Sequence, residues 1–305
     1  MTDVCFILGI MPRSGTNYLE NQLILHDKCI APGPVWEDFL VGSTPILEKL
    51  KKRLTSRWDN YWFRNTEINY LDKLGKEIGK GLTTFLLDQS KDPDARYLVT
   101  KTPTVSGLEN FRLYFPESKL IIIVRDGRDV AESGTKSFQW DLIKALIDWK
   151  INARKIIQFV DQHPDAAFLV RFEDMFATPE HLMSEVITYL DLDETNYPFE
   201  KLKNMPVSGS STLKVDNEKI NWKATEKKKN FQPVSRYKSW SPWKKFLSIV
   251  IAGSELDQLG YDISEKIPLE QKILAYSFLI TWPFLTIPRT LYYLLKEKTF
   301  VLKTH

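Results

Sequence analysis

The chain is poor in the features that would tie it to an oxidising compartment or a structural metal. Cys5 and Cys29 are its only cysteines in 305 residues, too few for a disulfide framework or a zinc pattern, and Cys5 falls in an apolar run where it fits as a small core residue. A secretory leader is missing too: the first residues hold one acid, no basic cluster and an apolar run too short for a signal peptide, so a cytoplasmic location is expected. Charge of one sign does not dominate, with 42 Lys and Arg against 39 Asp and Glu and a net charge of +3. That balance argues against a nucleic-acid partner, which calls for a concentrated basic face. No internal repeat and no low-complexity tract interrupts the chain. At 43% hydrophobic residues it can bury a full core.

What is present is concentrated in two segments, Phe6-Ile-Leu-Gly-Ile-Met-Pro-Arg-Ser-Gly-Thr-Asn17 and Leu120-Ile-Ile-Ile-Val-Arg-Asp-Gly-Arg-Asp-Val130. Each is a β-branched run that stops at a polar loop and passes into a helical pattern, the arrangement of a buried parallel strand, an anion-gripping loop and a helix N-terminus. Strands are expected at Val4 to Ile10, Tyr97 to Thr100, Leu120 to Val124 and Ala167 to Phe172. Helices are expected at about Thr16 to His26, Pro45 to Arg53, Glu67 to Gln89, Val105 to Tyr114, Val130 to Lys136, Trp140 to Gln162 and Pro242 to Leu259, the last capped by Gly260. Cys29 to Thr44 and Val207 to Trp243 have no periodicity and are expected to be loops, the second a cover over a site. The alternation predicts an α/β fold: a P-loop-like, doubly wound parallel sheet flanked by helices, with a helical C-terminal tail.

The first loop offers backbone N–H groups, Arg13, Ser14 and Thr16; the second offers Arg125 and Arg128. Two anion grips imply a ligand with phosphates at two places. The first loop is not a Walker A sequence: five residues separate Gly9 from Gly15, and Thr16 follows where a Lys is required. The strands also run out into Lys101 and Arg125, where a nucleoside triphosphatase needs an acid for Mg²⁺. The expected site meets its anions with protein cations and requires no metal.

Pro12-Arg-Ser-Gly-Thr16 resembles the 5′-phosphosulfate loop of sulfotransferases, and Val124-Arg-Asp-Gly-Arg-Asp-Val130 with Ser133 resembles their 3′-phosphate motif, in which an Arg and a Ser eight residues later act together. Lys101-Thr-Pro103, Val170-Arg-Phe-Glu-Asp174 and Val207-Ser-Gly-Ser-Ser-Thr212 ahead of Trp222 and Trp240 are similar as well. The resemblance spans roughly residues 4 to 262 and lies nearer the tyrosylprotein and carbohydrate branch than the cytosolic small-molecule branch. It implies transfer of a sulfuryl group from 3′-phosphoadenosine-5′-phosphosulfate (PAPS) to an acceptor hydroxyl or amine. By the same resemblance Arg13, Ser14, Gly15, Thr16, Asn17, Arg125, Ser133, Ser210, Ser211 and Arg236 hold the donor, and Arg13 and Lys101 stabilise charge during transfer.

The base is assigned on the same footing. Small-molecule relatives carry a His two residues after the strand-end Lys; here that place is Pro103. Other branches use a Glu after the first helix, and Glu37 is the match, with Asp38 its rival neighbour and His26 a weaker one. Trp140 and Trp149 suit the core or an acceptor cleft, Arg171 an internal pair, and Lys227, Lys228 and Lys229 a solvated face. A sulfotransferase domain is expected over 1–264 and an apolar tail over 265–305. Ile273 to Pro288 is uncharged but shorter than the twenty or so residues of a span, and basic residues follow, so 273–295 suits a peripheral contact on the inner face of a membrane. The acceptor is expected to bear a hydroxyl, with a glycan or lipid-linked saccharide favoured by the Glu base and the tail. A small-molecule P-loop kinase and a non-catalytic nucleotide-binding protein are the competing readings.

Overall fold

The computed structural model describes residues 2–56, 70–89, 92, 94–207, 233–264 and 268–281. Its elements, in chain order, are β1 (Asp3–Gly9), α1 (Thr16–Leu23), β2 (Cys29–Ile30), α2 (Leu40–Thr55), α3 (Tyr70–Asp88), β3 (Tyr97–Thr102), β4 (Lys119–Val124), α4 (Gly127–Phe138), α5 (Leu142–Gln162), β5 (Phe168–Arg171), α6 (Pro179–Tyr189) and α7 (Pro242–Gln258), with shorter helical turns between them. The five strands form one parallel sheet in the order β2-β3-β1-β4-β5. The expected α/β class and parallel sheet are therefore what the chain adopts.

The apolar runs are unbroken because both faces of the sheet are covered. Phe6 and Leu8 of β1 pack into one core with Leu120, Ile122 and Trp149, while Cys5 and Ile7 point to the other with Ile121, Val186 and Ile187. This is the period-two alternation of a strand, with apolar residues on both sides. β1 lies between β3 and β4, so the chain leaves it toward one edge and later returns to its other side. Such a switch of direction opens a crevice at the carboxyl ends of the strands, beside the loops after β1, β3 and β4.

Several expected boundaries move. The loop 29–44 contains the two-residue β2, too short to leave a periodic signal. Helix α2 starts at Leu40, five residues before Pro45, which was expected to open it. Pro45 has no N–H for the Val41 carbonyl, and the Thr44 hydroxyl donates to that carbonyl instead, at 2.8 Å. The stretch 105–114 is divided: Gly107 takes φ 74°, a 3₁₀ turn follows, and only Phe111–Tyr114 is α-helical. Helix α7 ends as expected, with Gly260 at φ 76° and the Tyr261 N–H reaching back to the Leu256 carbonyl at 2.9 Å. Among the described residues no helix is long and apolar enough to cross a membrane. Residues 269–281 are helical, and Ala275 and Phe278 pack on Phe246, Leu247 and Val250 of α7.

Candidate active site

The loop between β1 and α1 is tied to itself. Ser14 turns its hydroxyl onto the Met11 carbonyl and accepts from the Met11 N–H at 3.2 Å, and its own N–H bonds the same carbonyl at 3.3 Å. Ser14 is thereby a buried brace of the loop, with its hydroxyl and its N–H both bonded to Met11. Arg13 takes φ 79° and Gly15 φ 99°, left-handed conformations that turn the chain into α1. At Gly15 a side chain is excluded twice: by that φ, and by the Phe172 ring, whose Cδ2 would lie 2.4 Å from an added Cβ. The first N–H groups of α1 have no intrahelical acceptors by construction, and Gly15, Thr16 and Asn17 line an open cleft.

The second loop contributes the opposite wall. Arg125, just past β4, is 4% exposed and stacks its guanidinium 4.1 Å over the Phe172 ring. Its Nη1 donates to the Arg13 carbonyl at 2.7 Å and its Nη2 to the Pro233 carbonyl at 2.5 Å. Its backbone carbonyl accepts from the indole N–H of buried Trp149 at 2.9 Å, which makes Trp149 a core residue supporting the loop. Arg13 Nε donates to Ser133 Oγ at 3.0 Å, so the serine expected to act with Arg125 is bonded across to the first loop. Arg128 does not face this cleft. Its guanidinium is paired with Asp126, the N-cap of α4, at 2.7 Å and lies 3.7 Å over the Tyr237 ring.

Arg236, on a 3₁₀ turn after Ser235, joins Arg13, Arg125, Ser133 and Glu37 in lining the cleft. The three guanidiniums work against one another. Burial pushes Arg13 down to about 10, and the charge of Arg236 adds to the effect. Arg125 is pushed down to about 10 by burial and then by Arg236 and Arg13, against Asp129 and Glu173. Arg236 is lowered by burial despite Asp129 and Glu132. All three stay charged at neutral pH, and cations crowded in this way are relieved by a polyanion. Arg125 Nε and Asn17 Oδ1 are buried with no hydrogen-bond partner among the described residues.

The acids divide by role. Asp38 accepts from Thr100 Oγ1 at 2.9 Å, Thr102 Oγ1 at 3.1 Å and the Leu40 N–H at 2.7 Å, which clamps the start of α2 to the end of β3. Glu37 points the other way, into the cleft; burial raises its pKa, Lys101 opposes this, and Asp38 adds to it. His26 is buried between the Asp193 carbonyl, 3.1 Å away, and the Lys28 N–H, a structural post far from base duty. Arg171 lies 4.7 Å over the Tyr261 ring, inside the fold as expected. Trp140 stacks on Phe138, at 5.5 Å between ring centroids.

Lys101 is the residue whose surroundings differ most from expectation. It is 2% exposed and paired with Glu20 of α1 at 2.7 Å, and it borders a neighbouring cavity with Asn17, Asn21 and Trp36. Glu20 was absent from the sequence reading, although Thr16 and Glu20 share a helix face at i, i+4 that packs toward β3. Phe172 was missed too; its signal was an aromatic directly after a strand end. Ser210, Ser211, Trp222 and Lys227 to Lys229 lie outside the described residues.

The family model described as "Sulfotransferase family" matches residues 5–196. Among solved structures, a sulfotransferase domain from the curacin biosynthetic pathway is 20% identical, covers 91% of this chain and 98% of its own, and superposes with a TM-score of 0.45. A sulfotransferase domain from the Synechococcus PCC 7002 olefin synthase is 18% identical over 92% and 96%, with a TM-score of 0.46. A mouse sulfotransferase complexed with PAP is 12% identical over 90% and 89%, with a TM-score of 0.45. No curated protein matches the chain.

Proposed function

The chain belongs to the sulfotransferase family, and from that premise we propose how its residues carry out sulfuryl transfer and what they act on. The observation that carries the reading is the convergence of Arg13, Arg125 and Arg236 with Ser133 on one cleft at the switch point of the sheet, with Glu37 on the same lining. Three mutually repelling guanidiniums, two in loops tied to each other, suit a nucleotide with charge at two places. PAPS is that nucleotide, and when bound it supplies the activated sulfuryl group. Arg13 and the first-turn amides of α1 hold the 5′ end, while Arg125, Arg236 and Ser133 hold the 3′-phosphate. The residues of the cleft fit the donor: a left-handed Gly15 opens the loop, and Arg125 retains an unused buried N–H among the described residues.

Transfer makes one S–O bond to the acceptor oxygen and breaks the S–O bond to the 5′-phosphate. Glu37 takes the acceptor's proton, and Arg13 meets the charge left on the phosphate. Asp38 fixes the loop that presents Glu37 and takes no proton. The acceptor in this reading is a hydroxyl compound. A saccharide hydroxyl is the narrower choice, supported by the exposed Trp36 indole beside Asn17 and Asn21 in the neighbouring cavity. We read 1–264 as the catalytic domain and 265–305 as an appendage whose apolar and basic sequence suits the inner face of a membrane, in a cytoplasmic protein. A P-loop kinase is disfavoured because β3 and β4 run out into Lys101 and Arg125, and the acid after Arg125, Asp126, is held by Arg128. Incubation with ³⁵S-labelled PAPS and an acceptor panel, against γ-labelled ATP with Mg²⁺, tests the reading: label should pass to a hydroxyl acceptor from PAPS alone. Label transfer from ATP, or none from PAPS to any acceptor, would overturn it.

A further inference from the structure

Lys101 is held by three contacts that keep it out of the arginine-lined cleft. Its ammonium pairs with Glu20 Oε2 at 2.7 Å, donates to the Trp36 carbonyl at 2.7 Å and lies 4.5 Å over the Trp36 indole. Both partners of the pair are deeply placed, at 2% and 9% side-chain exposure. Lys101 borders the neighbouring cavity, whereas Glu37 lines the cleft itself. Asn17 lines both and marks their common wall.

An acid at this point of α1 is otherwise out of place. The helix aims its positive end at the donor anion, and Glu20 sits one turn above Thr16, so its charge opposes the donor unless a cation covers it. Burial raises the Glu20 pKa, Lys101 pulls it back, and Glu37 and Asp38 raise it further. Lys101 is thus the counter-charge that offsets the burial of Glu20 there. The lysine stem is rooted at the end of β3 and has four flexible carbons, so the ammonium can change partners without backbone movement.

We infer that Glu20 is a latch, a positioning residue that parks Lys101 in the donor-free protein and yields it to the sulfuryl group of bound PAPS. The inference rests on the PAPS reading above. A parked lysine lowers apparent affinity for the sulfated donor by the fraction of time it is unavailable. The desulfated product, PAP, lacks the sulfuryl group that draws the lysine across, so the latch leaves its affinity untouched.

Calorimetric titration of wild type, Glu20→Gln and Lys101→Met with PAPS and with PAP tests this. Glu20→Gln should tighten PAPS about three- to tenfold, by removing the competing carboxylate, and leave PAP within about twofold. Lys101→Met should weaken PAPS alone, and the double variant should lose the gain. An unchanged PAP affinity in each variant reports an intact nucleotide site. If Glu20→Gln does not fold, Glu20→Asp should give a smaller tightening of the same sign. A PAPS-to-PAP affinity ratio that does not move in the folded variant, or that still rises in the double variant, overturns the latch. Failure of both nucleotides to bind the wild type would overturn the donor reading, and the latch with it.

Discussion

Arg125 fastens the loop between β1 and α1: its Nη1 donates to the Arg13 carbonyl at 2.7 Å, across a separation of 112 residues. Arg13 answers through its own Nε, which donates to Ser133 Oγ on the helix that follows Arg125. The two loops are therefore one mechanical unit. Arg125 also stacks on Phe172, the ring that forbids a side chain at Gly15. A change at any of these five positions reaches the others.

That coupling separates Arg125 from Ser133 in the first prediction. Arg125→Ala should weaken binding of PAP by roughly 1.5–3 kcal/mol, the scale of a lost charge-assisted hydrogen bond, and erase discrimination against an analogue lacking the 3′-phosphate. It should also lower the melting temperature, because the Arg13 and Pro233 carbonyls lose a buried donor. Ser133→Ala should weaken PAP less, since its hydroxyl is engaged with Arg13. Calorimetry with the two nucleotides measures both effects; retained discrimination in Arg125→Ala would place the 3′-phosphate elsewhere.

Gly15→Ala should cost about 1–3 kcal/mol, the range for strain at a left-handed position, with the contact to Phe172 adding to it. Urea unfolding gives the stability change. The thermal shift produced by PAP should disappear with it, because the first-turn amides move with the loop. A variant as stable as wild type that still binds PAP would show that the loop tolerates a Cβ.

The sheet and both loops were legible in the sequence because their signals are local. An apolar run such as Leu120 to Val124 can be buried only on both faces, and Arg125 and Ser133 lie within one strand-to-helix connection. What was not legible depends on packing between distant segments. Arg128 looks like an anion ligand from its motif, yet its guanidinium finds a nearer partner in Asp126. Asp38 and Glu37 are neighbours in sequence and equivalent in composition; only the hydroxyls of Thr100 and Thr102 decide which one is tied down. Glu20 escaped notice because nothing in a single helix announces a partner 81 residues away on β3.

The tail makes a different case, since its first part belongs to the body. Ala275 is fully buried and Phe278 meets the Trp243 ring edge-on at 6.1 Å. Deleting the chain from residue 282 should leave the fold and PAP binding intact. Deleting it from residue 265 should expose Phe246 and Leu247 and produce aggregation or a lower melting temperature. Light scattering and thermal unfolding compare the two. If 273–295 contacts membranes, the longer deletion should also release the protein from anionic vesicles in a flotation assay; full-length protein that never floats would dispose of that contact.

Glu37 gives the last prediction, through its pH dependence. Burial raises its pKa above the ordinary glutamate value of about 4.3, and a base must be ionised to act, so turnover should fall as pH drops through that raised value. Glu37→Gln keeps the shape, removes the carboxylate and should lower turnover about 10²–10⁴-fold, with PAP affinity within about threefold and the acidic limb gone. Stability runs the opposite way. A carboxyl group with a higher pKa folded than unfolded favours the protonated folded state, so its contribution is lost as pH rises through the window between the two values. Glu37→Gln should therefore melt higher than wild type at neutral pH, and the gain should vanish below the unfolded value. Asp38→Asn keeps one acceptor for Leu40 but disturbs the Thr100 and Thr102 bonds, so it should lower the melting temperature more than it lowers turnover per folded molecule. Steady-state kinetics and melting curves over the same pH series separate the two carboxylates. Turnover abolished by Asp38→Asn in a fully folded protein, with Glu37→Gln active, would reverse the assignment.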